Sequence, residues 1–258
     1  MIKLFRNIRQ NLVTQDKSVN RTTNYFKYAI GEIVLVVIGI LIALQINNWN
    51  ENKKSNAQYF QYLKAIKSNI QEDLIVMDTL IKHREQTIAY SKKERNMFLK
   101  NSFDFETTVN ATRTAFGVFY FYPNRSAFDA LSNSSVVGKL NGTELNKLLI
   151  NYYAQISSIQ QEEKNANAQL NSLQSIFGAQ EDKTLIISYY IFPKKDFDSL
   201  NVSFESILKK FEFFHNSFAY RSVINETTLQ EYLLVPAYKK LNVIGPKVIS
   251  AINLATND

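Results

Sequence analysis

Groups that could do chemistry are few in this chain of 258 residues, and one stands out by its surroundings. Glu32 is the only charged side chain within the run from Tyr28 to Ile46. An acidic group one turn inside hydrocarbon is costly, and by default it marks a proton path or a charged contact with a neighbouring helix. The plainer reading, which we prefer, puts it at the inner interface, reaching lipid headgroups or Lys27. Gln45, near the other end of the run, is suited to hydrogen-bonding between helices. The two histidines, His83 and His215, lie far apart, and there are no cysteines. The sequence thus offers no H-E-x-x-H pair, thiolate site or His-rich metal cluster. His83 reads as a surface residue and His215 as a helix-packing one. Glu72, Asp73 and Asp78, and further on Gln160, Gln161, Glu162 and Glu163, read as solvated helix faces rather than metal sites. No phosphate-binding glycine loop and no G-x-S-x-G elbow is present. The expectation is no catalytic residue, no metal and no cofactor.

The element that positions Glu32 and Gln45 is the apolar run itself. It is close to the ~20 residues a helix needs to cross a bilayer. Tyr25 and Tyr28 before it, and Trp49 after it, are the amphipathic residues that favour membrane–water interfaces. Gly31, Gly39 and Ala43, spaced by eight and four, share one face and would let another helix approach closely. Residues 1–31 hold six basic residues against one acidic, whereas the remainder holds 24 against 22. Of the net charge of +7, +5 therefore flanks the run and only +2 is left for the rest, which argues against nucleic-acid binding. Flanking Lys and Arg stay in the cytoplasm. A cleaved signal peptide fits less well, because its basic region would be about 30 residues long and no small-x-small cleavage pattern follows. The sequence predicts a cytoplasmic basic amphipathic tail (1–27), a transmembrane helix (28–49) and a periplasmic helical domain (50–258), anchored in a bacterial inner membrane. In the tail, Ile2, Phe5, Ile8 and Leu12 suit a helix lying on an anionic leaflet, or simply a frayed end.

With seven Gly and four Pro, the chain favours long helices over a many-turned β architecture. Leu63, Ile66, Ile70, Leu74, Met77, Leu80, Ile81 and Ile88 predict a helix from Tyr59 to Lys100. The aromatic stretch 103–123 reads as packing core. Ser126 is placed as the cap of a short helix, with Asp129 at its third position. Asn141 and Glu144 form a capping box for a second long helix, 143–177, stopped by Gly178 and antiparallel to the first. Residues 185–192 have a strand's composition but no pairing partner, so a short buried helix or extended cover is preferred, ended by Pro193. Ser203 precedes a helix to Tyr220. A last helical region, 225–254, should kink at Pro236 and break or bend at Gly245-Pro246.

Two stretches carry a resemblance. Gly31-Glu32-Ile33-Val34-Leu35-Val36-Val37-Ile38-Gly39-Ile40-Leu41-Ile42-Ala43-Leu44-Gln45-Ile46-Asn47-Asn48-Trp49-Asn50-Glu51, after a short basic tail, resembles the signature of a domain-of-unknown-function family. Its members are small single-pass membrane proteins of Bacteroidetes-type Gram-negative bacteria. Ser126-Ala127-Phe128-Asp129-Ala130-Leu131-Ser132, then Leu140-Asn141, Leu148-Leu149 and Tyr152-Tyr153, resemble a second family stretch, with Asn133-Ser134 where members usually carry a glycine. The resemblance implies a topology and no activity.

The fold expected is all-α: one N-terminal transmembrane helix followed by an elongated extracytoplasmic helical bundle. The function expected is that of a scaffold, accessory subunit or sensor-like interaction module in the cell envelope. Its partners would be the lipid bilayer, a second copy of itself or other envelope membrane proteins. The alternative is an ion-coupled subunit of a membrane energy-transducing complex that uses Glu32.

Overall fold

The computed structural model describes the backbone of residues 21–180, 182–197 and 199–257. Among these residues it is all-helical: α1 (Arg21–Lys100), α2 (Phe105–Ala115), α3 (Ser126–Ser132), α4 (Glu144–Gln180), α5 (Thr184–Ile191), α6 (Phe204–Asn216) and α7 (Phe218–Thr256), with short 3-10 turns at Val137–Leu140 and Lys194–Asp196. The amphipathic tail expected at Met1–Val13 lies outside the described residues.

The chain divides into two units, the first ending at Ala57 and the second beginning at Gln58. Among the described residues the first unit is the leading part of α1, and it has no core. From Ile30 to Trp49 every side chain is exposed, with Ile33 at 63% and Trp49 at 65%. This part of α1 is long and apolar enough to be a candidate membrane span.

The second unit is a three-helix bundle of α1, α4 and α7. Its logic is a heptad, in which apolar residues alternate at three and four and so line one seam of each helix. On α1 the buried residues Tyr59, Leu63, Ile66, Ile70, Asp73, Met77, Leu80, Arg84, Thr87, Ser91, Glu94 and Phe98 form an unbroken repeat, flanked by the buried Asn69, Ile81 and Ile88. On α4, Leu145, Leu149, Tyr152, Ile156, Ile159, Glu163 and Leu170 continue the same rhythm. On α7, Tyr220, Thr227, Leu234, Leu241 and Val248 recur every seven residues. Burying each leucine, isoleucine, valine, methionine or phenylalanine of these seams stabilises by about 1.5–3 kcal/mol.

Contacts fix the directions. Asp78, Glu85 and Lys92 on α1 meet Asn242, Lys239 and Glu231 on α7, so these two helices run antiparallel. Gln155 and Gln169 on α4 meet Ala237 and Glu226, so α4 is also antiparallel to α7. The first two long helices are therefore parallel, not antiparallel as expected from their order. A parallel neighbour requires the chain to travel back along the bundle, and residues 117–125 do this. They are non-helical and pass Arg84 at Phe119 and Asp73 at Asn124, and Ser126, which follows them, meets Asn69.

Local signals explain the ends. Asp104 caps α2 by accepting from the Thr107 amide, Ser203 caps α6 and Ser217 caps α7. Ser217 divides what reads as one helix to Tyr220, and α7 begins seven residues before the expected Asn225. Thr143, not Asn141, accepts from an amide of the first turn of α4. Helix α4 continues through Gly178 to Gln180. Ser126 is the first residue of α3 and does not cap it; its hydroxyl donates to Asn124 instead. Helix α7 runs unbroken through Pro236 and Pro246, both on its exposed face, where water can take the carbonyls their rings leave free.

Candidate functional site: a buried polar layer

The returning segment creates the chemistry of the interior. A non-helical stretch between packed helices has amides and carbonyls that must find partners, because burying them unpaired is unfavourable. Here side chains of α1 and α4 supply them. The Phe119 carbonyl accepts from Arg84 Nη2 and from Asn167 Nδ2, both at 2.9 Å. The Phe121 amide donates to Glu163 Oε2 at 2.8 Å, and the Asn124 amide to Asp73 Oδ1 at 2.8 Å. Phe119 and Phe121 point inward, while Tyr122 is 79% exposed and Tyr120 41%, so only alternate members of the aromatic run join the core.

Arg84 is the centre of this layer and is 2% exposed. Its Nε donates to the Tyr238 hydroxyl at 2.9 Å and its Nη1 to Gln230. Tyr238 in turn donates to Glu163 Oε1 at 2.6 Å. A guanidinium and a carboxylate are thus joined through a phenol, and α1, α4, α7 and the returning segment meet at one level. The guanidinium also lies over the rings of Phe119 and Tyr238, 5.7 and 5.6 Å from their centroids. Burial pushes the Glu163 carboxyl above its ordinary range, opposed by the Tyr238 and Phe121 hydrogen bonds and by Arg84. Burial likewise raises Asp73, against the bonds from Asn124 and Tyr152.

Asp73 and Glu163 are corrections to the sequence reading, which placed both on solvated faces. The heptad was the available signal: Asp73 is seven residues after Ile66, and Glu163 seven after Ile156.

A second buried cluster lies beyond the layer. His215 Nδ1 is 2.8 Å from Glu94 Oε1, with Thr108 donating to the same carboxylate and Phe98 and Phe103 against the imidazole. His215 therefore packs between helices, as its position next to Phe214 suggested, and His83 is exposed, stacked on Phe119. Burial, then Glu94, hold the Tyr220 phenol well above its usual value.

The two regions of the second unit have separate apolar cores. One gathers Leu63 to Ile81, α3, the first half of α4 and the end of α7. The other gathers α2, α5, α6 and the start of α7 around Phe177, Phe211 and Phe214. Residues of the second sequence stretch come together in the first: Phe128 stacks on Tyr153 at 4.2 Å, beside Leu131, Leu140 and Leu149. Asn133 has φ −97°, a conformation that needs no glycine.

None of the residues picked from the sequence enters the layer. Glu32, Gln45, Gly31, Gly39, Ala43, Tyr28 and Trp49 all lie in the first unit, on the leading part of α1. A Cβ at Gly31 or Gly39 would meet nothing, so that face is open. Lys53 sits over the Trp49 ring at 5.4 Å. Of Tyr25 only the backbone is described.

The fold is thus a helical bundle with a polar layer at its waist, joined to a helix whose leading part is exposed and apolar. Residues 32–179 match a family of unknown function, DUF6090, and the chain belongs to that family. The match takes in most of α1 and nearly all of α4; α5, α6 and α7 follow it. No curated protein and no solved structure matches the chain.

Proposed function

We propose that the chain is a single-pass membrane protein of a Gram-negative cell envelope that acts through contacts. Its bundle serves as a scaffold, accessory subunit or sensor-like module rather than as a catalyst. The observation that supports this reading is the apolar stretch of α1, whose side chains from Ile30 to Ile46 are all exposed. The core helix of a soluble protein buries such a stretch, and a patch this large left in water marks a contact with membrane or protein. The basic excess before it puts the N-terminal side in the cytoplasm and residues 50–258 in the periplasm. The bilayer is then the first partner, and a second copy or another envelope protein is the next. The buried carboxylates support a non-catalytic role: Asp73 and Glu163 hold backbone amides and phenols, and Glu94 holds a threonine hydroxyl and the His215 imidazole.

The test is fractionation of the full-length protein, followed by protease treatment of spheroplasts. Retention in the membrane after alkaline extraction, with the bundle cleaved from outside, is the expected result. Recovery in the soluble fraction, or a C-terminal reporter active only in the cytosol, overturns it.

A further inference from the structure

A heptad seam fits itself again after a slip of one repeat. Sliding α1 by seven residues along α7, about 10 Å, seats Leu63, Ile70 and Met77 in one another's places. Apolar packing alone therefore discriminates weakly between settings. Arg84 discriminates strongly. In the observed setting it reaches the Tyr238 hydroxyl, the Gln230 side chain and the Phe119 carbonyl together. After a slip it would occupy the seat of Met77 or of Ser91, with those three acceptors left behind. A buried guanidinium without acceptors is strongly unfavourable, and fixing register is the best-attested use of a polar group in a coiled-coil seam.

We propose that the layer of Arg84, Tyr238, Glu163 and Gln230 is a register lock, admitting one axial setting of α1 against α4 and α7. Glu163 belongs to it as well, tying the returning segment to the same level through the Phe121 amide. Displacement of α1 along its axis is then all-or-none: the layer holds, or it breaks and the seam re-seats.

The absence of native cysteines allows a direct test by cross-linking in the full-length protein. Glu85 and Lys239 are ion-paired at 2.6 Å, so the pair E85C/K239C reports the observed setting. The pair E85C/Y232C reports a slip of one heptad; both parent residues are exposed. A bismaleimide cross-linker shorter than the about 10 Å advance of one heptad separates the two settings. With the layer intact, the cross-linker should join only the first pair. Adding Arg84→Met should raise the second product by roughly tenfold or more, the scale of one lost buried hydrogen bond. Adding Tyr238→Phe, which removes a single oxygen, should raise it less. Circular dichroism identifies any variant that has not folded; if Arg84→Met fails, Tyr238→Phe decides by the same product. A second product that stays absent in the folded variants, or that forms equally with the layer intact, overturns the lock.

Discussion

The Tyr238 hydroxyl donates to Glu163 while accepting from Arg84, so one oxygen carries both links of a buried chain of charge. Removing it by Tyr238→Phe leaves the ring packed but strands a guanidinium N–H. A loss of about 1–3 kcal/mol is expected, the penalty for an unsatisfied buried donor. The exposed Tyr232 is the control, and Tyr232→Phe should change stability by less than about 0.5 kcal/mol. Denaturant unfolding of both variants checks this.

Burial raises the Glu163 carboxyl above its ordinary value of 4.5. The folded state then holds its proton to higher pH than the unfolded state does. Its contribution to stability is fully present below the ordinary value and declines as pH rises through the raised one. Glu163→Gln lacks this dependence. Melting temperatures measured upward from pH 4 should show the parent losing ground relative to Glu163→Gln, with the difference level at higher pH.

Asp104 has the opposite sign. Its bonds to Thr107 hold the carboxyl below 3.8, so its contribution is present above that value and lost as pH falls through the lowered one. Asp104→Ala removes the cap of α2 and should cost about 1 kcal/mol at neutral pH. The cost should shrink in acid, as thermal melts at neutral and acidic pH will show.

At Gly245, α7 packs tightly against Leu74 of α1. A Cβ there would stand 2.8 Å from Leu74 Cδ2 and 3.0 Å from Cδ1. Gly245→Ala gains about 1 kcal/mol of helix propensity but must push the leucine aside, so it should be near neutral. Gly245→Leu should destabilise by about 1–3 kcal/mol through overpacking. Combining Gly245→Leu with Leu74→Ala should recover part of that loss, a coupling that a double-mutant cycle measures.

Glu32 separates two uses of the apolar stretch. As an interface carboxylate it should tolerate Glu32→Gln without change in membrane retention or in what co-purifies after mild detergent extraction. Retained assembly with a lost cellular phenotype would instead favour ion coupling. Ile38→Arg, at mid-stretch, should impair insertion, since a central arginine costs about 2.5–3.5 kcal/mol on insertion scales.

The long helices were legible because their apolar spacing is regular, and the exposed stretch of α1 because its composition is extreme. Asp73, Arg84, Glu94 and Glu163 were hidden by their own chemistry. Charge argues for solvent, and only seven-residue spacing from Ile66, Met77, Thr87 and Ile156 argues for the seam. The parallel setting of α1 and α4 was also out of reach. It depends on where residues 117–125 travel, and that is decided by hydrogen bonds to side chains more than 30 positions away, such as Arg84, Asp73 and Glu163. The helix ends at Thr143 and Gln180 moved by a few residues because more than one residue there could serve as a cap or stop.

Arg84 and Tyr238 are 154 positions apart, and α7, which completes the seam, follows both α1 and α4 in sequence. A ribosome therefore releases α1 and α4 long before their third companion exists. The nascent polypeptide must leave Leu80, Ile88 and Ile159 uncovered until α7 arrives. Maturation then waits on α7, and a product cut short after Gln180 would emerge with an open, adhesive flank for quality-control proteases to find.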